Sequence, residues 1–160
     1  MEHIWAGWRT EYVTGGDVYD DAACVLCRVI DDGEYVVWRD ELVAVILNAF
    51  PYTSGHVMVL PVRHVGEVEE IAHEEVAPLW SAVAKAVVAI KEAYRPDGLN
   101  MGANIGRVAG AGVPGHFHVH VLPRWSADTN FMTSVAEARV LPEALPASRE
   151  KLQKAWPQVS

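Results

Sequence analysis

Residues 115–125 of this chain read Gly-His-Phe-His-Val-His-Val-Leu-Pro-Arg-Trp, and they contain three histidines that alternate with apolar residues. Side chains along a β-strand point alternately to its two faces, so the pattern predicts a strand over Phe117–Leu122 whose apolar residues face the core. His116, His118 and His120 would then share the opposite face, with about 6.6 Å between successive imidazoles.

Other stretches of the chain also favour β-structure. Tyr35–Arg39 and Leu42–Leu47 are β-like runs, and His56–Leu60 follows a segment of turn residues at Phe50–Gly55. Leu99–Asn104 is a further candidate strand. Consecutive strands joined by short turns cannot be parallel neighbours, so we expect an antiparallel sheet of about five strands.

Helical periodicity is clearest in the middle of the chain. Between His73 and Tyr94 apolar residues recur at three- and four-residue spacing, which predicts one long amphipathic helix ending before Pro96. A short helix is expected around residues 24–27, and a last one beginning near residues 141–143 and ending before Pro157. The predicted fold class is therefore α+β, with terminal helices.

The length of the chain indicates one domain. It has 160 residues, of which 51% are hydrophobic, enough for one core and too few residues for two. We expect a single domain over residues 1–160, with an N-terminal arm of about residues 1–20 and a C-terminal extension of about residues 126–160.

The charge and the sequence of the N-terminus exclude several classes of partner. The formal net charge of −8 argues against a nucleic-acid polymer or an anionic membrane, since both bind clustered Lys and Arg. The N-terminal residues lack the basic start and apolar run of a signal peptide, and the sequence offers no stretch of ~20 apolar residues for a membrane span. The expected location is the cytoplasm.

The three histidines carry the clearest chemical signal. A row of imidazoles offers a nucleophile, proton donors and anion-binding groups near neutral pH, as phosphoryl or nucleotidyl transfer requires. One alternating pair would favour a structural role, whereas three in succession favour catalysis. The alternative is metal ligation by all three, as in cupin-type sites, but those usually add a carboxylate that residues 121–124 do not offer.

A glycine-rich segment, residues 102–115, comes just before the histidines. Glycine lets backbone N–H groups approach a ligand closely, so the segment is a candidate phosphate-binding loop. Alone, such a segment is more often a flexible turn, and its position beside the histidines favours the functional interpretation.

Cys24 and Cys27 have the spacing of half a tetrahedral zinc site. The chain has two cysteines in all, so histidines would have to complete the site. A redox pair, which lacks its usual βαβ context here, and two inert buried thiols remain alternatives.

These motifs together resemble the histidine triad (HIT) family, whose signature, His-φ-His-φ-His-φ-φ with φ apolar, is met by residues 116–122. The resemblance is to the bacterial branch of diadenosine tetraphosphate phosphorylases and HIT hydrolases, and it covers most of the chain. Besides the signature and the cysteine pair, it is carried by Ile4–Arg9, Gly55–Pro61, Ala109–Gly112, Pro123–Trp125 and Asp128–Met132.

The resemblance implies a HIT-like fold and an enzyme acting on the α-phosphate of dinucleoside polyphosphates, such as diadenosine tetraphosphate (Ap4A), or of related AMP conjugates. His118 would attack the α-phosphorus to form a nucleotidyl-histidine, which phosphate or water would release. His120 would aid phosphate binding or protonate the leaving group, and His116 completes the triad. The alternatives are a nucleotide-binding module without turnover and, less favoured, a His-ligated metalloenzyme.

The resemblance also implies ligand contacts and a partner. It places Asn48 at the ribose and His56 behind the triad. The phosphate contacts that it implies are Asn104, Gly110, Ala111 and Gly112. It also implies a structural Zn²⁺, whose ligands would be Cys24, Cys27, His64 and His116. Relatives often carry Gln or Ser where this chain has residues 112–114, so backbone amides would do more of the phosphate binding. A homodimer is the expected assembly.

Overall fold

The computed structural model describes residues 24–126, residue 128 and residues 142–157. The predicted N-terminal arm lies outside these described residues, as do residues 127, 129–141 and 158–160 of the predicted C-terminal extension. Within them the chain forms three α-helices and five β-strands. In chain order these are α1 (Val25–Asp32), β1 (Val36–Arg39), β2 (Val43–Leu47), β3 (Val57–Pro61), α2 (His73–Tyr94), β4 (Gly98–Gly102), β5 (Val119–Arg124) and α3 (Leu145–Ala155).

The five strands form one antiparallel sheet in the order β1-β2-β3-β5-β4, which confirms the predicted fold class. β5 lies between β3 and β4, so that His120 is opposite Met58 on one side and opposite Gly102 on the other. His120 is therefore beside the beginning of β3, on a strand in the interior of the sheet.

α2 covers one face of the sheet, with the bounds that the sequence predicted. Its apolar side packs in a core that includes Phe117, Val119 and Val121, each of which contributes about 1.5–3 kcal/mol when fully buried. α3 packs against α2 and adds Leu152 to the same core. Because alternate residues of the 117–121 stretch face α2, the histidines between them face the opposite side of the sheet.

α1 lies on that opposite side. Its residues Leu26 and Ile30 pack against Ala44, Ile46 and Leu60 of the sheet. β2 and β3 are thereby buried on both faces, which explains why their sequences are almost continuously apolar. None of the helices in the described part of the chain is long and apolar enough to cross a membrane.

The strand that carries the histidines begins later than predicted, at Val119 instead of Phe117. Continuing the ladder with β3 would bring Phe117 opposite Pro61, which has no N–H to donate. The N–H of Phe117 donates instead to the carbonyl of Val65, at 2.6 Å. The predicted alternation of faces still holds upstream of the strand, since Phe117 lies in the same core as Val119.

Most other boundaries also differ from the prediction, by one residue or more, and two of these differences have a structural explanation. β4 ends at Gly102 rather than Asn104, because its pairing with β5 stops where Gly102 meets His120. The last helix begins at Leu145 rather than near residues 141–143. Pro146 lies in its first turn, where a missing N–H leaves no intrahelical bond unmade.

Candidate active site and metal centre

Two histidines from neighbouring strands meet on the side of the sheet opposite α2. His56 immediately precedes β3, and His120 is the second residue of β5. The pairing of the two strands brings Nε2 of His56 within 3.0 Å of Nδ1 of His120. His56 is fully buried, so its end of this hydrogen bond is shielded from water.

The ring of His118 is oriented by the backbone. Its Nδ1–H donates to the carbonyl oxygen of His116 at 2.7 Å. A neutral imidazole carries one proton, so Nε2 of His118 keeps its lone pair. Burial lowers the pKa of His118, although the hydrogen bond to the His116 carbonyl opposes this effect. His118 is therefore neutral at pH 7 and has the nitrogen lone pair that a nucleophile needs.

His120 stands edge-on to His118, with 4.9 Å between the ring centroids and 85° between the ring planes. Burial, and then the nearby His118, lower the pKa of His120 to about 4. Both rings are therefore uncharged at neutral pH, and two imidazolium ions do not repel each other in this small space.

Tyr52 is a residue of the site that the sequence analysis missed. Its backbone N–H donates to Nδ1 of His56 at 3.2 Å, and its ring lies 4.9 Å from the His56 ring and 6.4 Å from the His120 ring. In the sequence, Tyr52 was only part of a turn segment. An aromatic residue four positions before His56 was the available signal.

Asn48, predicted at the ribose, lies next to the same histidine. Its side-chain Oδ1 accepts a hydrogen bond from the N–H of Phe50 at 2.9 Å, and its Nδ2 is 3.5 Å from Nδ1 of His56. The structure thus brings Asn48, His56, His118 and His120 together at one place on the sheet.

The glycine-rich loop is held by hydrogen bonds between its own residues. The side chain of Asn104 donates to the carbonyl of Gly110 at 3.2 Å. The amides of Gly110 and Ala111 donate to the carbonyls of Arg107 and Gly106, respectively. A phosphate bound by these two amides would therefore have to replace bonds within the loop.

Cys24, Cys27, His64 and His116 form a second cluster, in which the ligand atoms all lie within 4.8 Å of one another. Cys24 is the N-cap of α1 and Cys27 lies in its first turn, so the spacing of three places both sulfurs on one side of the helix. His64 follows β3, and His116 precedes β5.

The distances in this cluster match those of a zinc site. Nδ1 of His116 is 3.5 Å from the sulfur of each cysteine, and Nδ1 of His64 is 3.5 Å from that of Cys27. A tetrahedral zinc with ordinary Zn–S and Zn–N bonds would separate S and N by about 3.6 Å. These residues therefore fit a Cys₂His₂ zinc ion.

The chemistry of the donors also fits a cation. Burial, and then the neighbouring Cys24, raise the pKa of the Cys27 thiol to about 11. A thiol of that kind stays protonated at neutral pH unless a nearby positive charge stabilises the thiolate.

His116 belongs to the metal cluster rather than to the group around His118. Its Nε2–H donates to the carbonyl of Pro61 at 2.9 Å, which leaves Nδ1 unprotonated and facing the cysteine sulfurs. Its own carbonyl orients His118. His116 thereby connects the candidate metal centre to the candidate nucleophile.

The chain is similar to known proteins over most of its length. The model of the HIT domain family matches residues 31–127. The chain is 35% identical to an AP-4-A phosphorylase of Mycobacterium tuberculosis, in an alignment that covers 98% of this chain and 85% of the relative.

Solved structures share the fold. A hypothetical histidine triad nucleotide-binding protein of Sulfolobus tokodaii is 31% identical, with a TM-score of 0.69, over 82% of this chain and 91% of that one. A Zn-bound histidine triad family protein of Mycobacterium smegmatis is 28% identical, with a TM-score of 0.69, over 85% of this chain and 94% of that one.

Proposed function

Since this chain belongs to the HIT domain family, we propose that it is a nucleotide hydrolase or phosphorylase acting on the α-phosphate of dinucleoside polyphosphates, such as Ap4A, or of related AMP conjugates. Membership confirms the resemblance seen in the sequence. The substrate class is supported by the AP-4-A phosphorylase of M. tuberculosis, which is similar over nearly the whole chain.

One observation carries the proposal: the 2.7 Å hydrogen bond from Nδ1 of His118 to the His116 carbonyl. It places the lone pair of a neutral imidazole on Nε2, which is the state required for attack on phosphorus. The bond from Nε2 of His118 to the α-phosphorus forms as the bond to the bridging oxygen breaks. The product is a nucleotidyl-histidine, from which phosphate or water releases the nucleotide.

Three further elements complete the proposed site. His120, beside His118, binds the charged phosphate oxygens or assists the leaving group. Asn48, at the edge of the same group, binds the ribose. Asn104 and residues 110–112 bind the phosphates, in exchange for hydrogen bonds that the loop makes internally.

We propose that Cys24, Cys27, His64 and His116 hold a structural Zn²⁺. The donor spacing supports this, as does the similarity to a Zn-bound protein of the family. The ion would supply structural cross-linking, because it would join the start of α1, the segment after β3 and the histidine stretch. If His116 is a zinc ligand, the three histidines do not form one metal site, which argues against the His-ligated metalloenzyme.

The homodimer is also a proposal. β4 pairs only with β5 among the described strands, so its other edge is open to a second copy. Met101, Ile105 and Val108, in and after β4, are exposed apolar residues. A twofold contact along this edge would cover them.

The covalent intermediate can be tested by mass spectrometry. The protein is mixed with Ap4A, quenched within one turnover and digested under conditions that preserve phosphohistidine-type bonds. The expected result is an AMP adduct on the peptide that contains His118, absent from His118→Ala.

A nucleotide-binding module without turnover is the competing function. It predicts that the wild-type protein binds Ap4A with the same affinity as His118→Ala and cleaves neither Ap4A nor other AMP conjugates. Turnover by the wild type that is lost in His118→Ala would eliminate this alternative.

A further inference from the structure

The backbone of the turn between β2 and β3 determines where His56 carries its proton. The N–H of Tyr52 lies 3.2 Å from Nδ1 of His56. A backbone amide nitrogen can only donate, so Nδ1 of His56 must be the acceptor. The proton of a neutral His56 is therefore on Nε2.

The side chain of Asn48 also favours an unprotonated Nδ1 on His56. The hydrogen-bond partners of the amide determine which of its ends is the oxygen. Phe50 N–H requires an acceptor, which fixes Oδ1 of Asn48 towards Phe50, at 2.9 Å. The NH₂ group then faces Nδ1 of His56 at 3.5 Å. Two donors, both fixed by the backbone, thus converge on one nitrogen.

The position of the proton on His56 determines the position of the proton on His120. With its proton on Nε2, His56 donates to Nδ1 of His120 across 3.0 Å. His120 therefore accepts at Nδ1 and carries its own proton on Nε2. A doubly protonated His120 would bring two N–H groups together at this distance, which is unfavourable in a buried site.

We propose that the Asn48–Tyr52–His56 arrangement holds His120 as a neutral hydrogen-bond donor, and so restricts the enzyme to reactions in which the leaving group and the second nucleophile are oxyanions that need no proton transfer, as phosphate groups are. This inference rests on the proposed function and adds a substrate preference to it: nucleoside polyphosphates over phosphoramidates, and phosphate over water.

The first step follows from the chemistry of the leaving group. When His118 attacks Ap4A, the P–O electron pair leaves with a polyphosphate anion, which is stable at neutral pH without a proton. His120 needs only to donate a hydrogen bond to phosphate oxygen. In a phosphoramidate the P–N electron pair would leave with an amine nitrogen, which must receive a proton as the bond breaks. A neutral imidazole is too weak an acid to supply it.

In the second step, His120 determines which nucleophile can release the nucleotide from His118. Inorganic phosphate attacks the nucleotidyl-histidine through an oxygen that is already anionic, and His118 leaves as a neutral imidazole. Water must lose a proton as its oxygen bonds to phosphorus. Nε2 of His120 already carries a proton and cannot accept another, so His120 cannot act as the base for water.

A leaving-group series tests the first step. Three substrates share the AMP moiety: Ap4A, the p-nitrophenyl ester of AMP and an N-alkyl phosphoramidate of AMP. General acid catalysis contributes about 10²–10⁴-fold, so we expect kcat/KM for the phosphoramidate to be at least about 10²-fold below that of the nitrophenyl ester. Equal values for the two would overturn the inference while leaving the proposed function intact. Cleavage of none of the three would overturn both.

Two variants of Asn48 provide a matched comparison. Asn48→Asp replaces one of the two donors at Nδ1 of His56 with an acceptor. This favours a second proton on His56, at the expense of the hydrogen bond from Tyr52 N–H, and that proton can pass through His120 to a leaving nitrogen. Asn48→Ala removes the side-chain donor without adding an acceptor. The ratio of phosphoramidate to nitrophenyl-ester cleavage should rise several-fold in Asn48→Asp relative to Asn48→Ala. An unchanged ratio would contradict the proposed role of the turn.

Long-range ¹H–¹⁵N NMR of the zinc-loaded, ¹⁵N-histidine-labelled protein measures the tautomers directly, with signals assigned by His56→Gln and His120→Gln. At pH 7 the expected result is an unprotonated Nδ1 and a protonated Nε2 in both His56 and His120. Protonation of His120 at Nδ1 would overturn the inference, whatever the activity of the sample.

Discussion

The carbonyl oxygen of His116 accepts, at 2.7 Å, the hydrogen bond that orients the ring of His118, while the ring of His116 faces the sulfurs of Cys24 and Cys27. One residue thus belongs to the metal cluster through its side chain and to the candidate active site through its backbone. A displacement of His116 would rotate the ring of His118, the proposed nucleophile, so we expect the two sites to be coupled.

This coupling predicts the effect of Cys24→Ser. The variant should lose most of its zinc, which in the wild type is expected at about one ion per chain. Activity on Ap4A should fall about 10–100-fold, because losing the support of a positioned ligand has effects of that size. Elemental analysis of the purified variant, together with its kcat, measures both.

His118→Ala is the matched control for that experiment. The ring of His118 is not among the four donors, so this variant should keep its zinc and lose its activity. Loss of zinc from His118→Ala would show instead that the triad itself holds the metal.

Gly55→Ala tests the turn that carries His56. Gly55 has φ of 83°, and a Cβ there would lie 2.6 Å from the ring of Tyr94, which is itself held by a hydrogen bond to Glu143. Overpacking of this kind costs about 1–3 kcal/mol, beyond the ~1 kcal/mol or more of the left-handed backbone. Activity should also fall, because the neighbouring residue is His56.

Gly33→Ala separates the two costs. Gly33 has a similar φ of 75°, but nothing lies within 4 Å of the position of its Cβ. Urea unfolding should therefore show a smaller loss of stability for Gly33→Ala than for Gly55→Ala. Equal losses would mean that the contact with Tyr94 contributes nothing.

The ion pair of Arg63 and Glu75 predicts a pH dependence of stability. The hydrogen bond from Arg63 lowers the pKa of Glu75 below its ordinary 4.5, against the opposing effect of burial. A carboxyl whose folded pKa is depressed stabilises the protein above its unfolded pKa, and this contribution is lost as the pH falls through the folded value.

Glu75→Gln should therefore lower the free energy of unfolding at pH 7, by on the order of 1–2 kcal/mol, and the difference from wild type should shrink as the pH falls below 4.5. Glu92→Gln, an exposed position on the same helix, is the control and should show no such convergence. A constant difference for Glu75→Gln across this range would contradict the assignment.

The dimer proposal predicts that Met101→Lys weakens self-association. Met101 is 57% exposed on the open strand β4, where a charge opposes pairing with a second strand. Sedimentation velocity over a range of concentrations should show that the Met101→Lys dimer dissociates at a higher protein concentration than the wild-type dimer. Val25→Lys, on α1, should leave the distribution unchanged; a monomeric wild type would contradict the proposal.

The sequence predicted the antiparallel five-stranded sheet and the bounds of α2 correctly, because both follow from local periodicity. Its errors concern strand and helix ends, which depend on partners far along the chain. β5 begins late because Phe117 would face Pro61, a pairing that alternation within residues 116–122 does not reveal. α3 begins at Leu145, so Pro146 rather than Pro142 lies in its first turn.

The candidate site was predicted in part. The zinc ligand set given by resemblance, Cys24, Cys27, His64 and His116, does converge in space. The resemblance placed His56 behind the triad, but not which histidine it contacts. That contact, with His120, and the position of Tyr52 depend on the register of β3 against β5 and on the path of a turn backbone. The tautomer of each histidine likewise depends on three-dimensional partners.

The most direct test of the account is the reaction of the zinc-loaded protein with Ap4A, with and without inorganic phosphate, followed by chromatography of the nucleotides and with His118→Ala in parallel. ADP and ATP are expected when phosphate is present, with much slower formation of AMP and ATP in its absence and no products from His118→Ala. Full activity of His118→Ala, or an inert wild type towards Ap4A and other AMP conjugates, would contradict the central claim that His118 is the nucleophile of a nucleotide-cleaving enzyme.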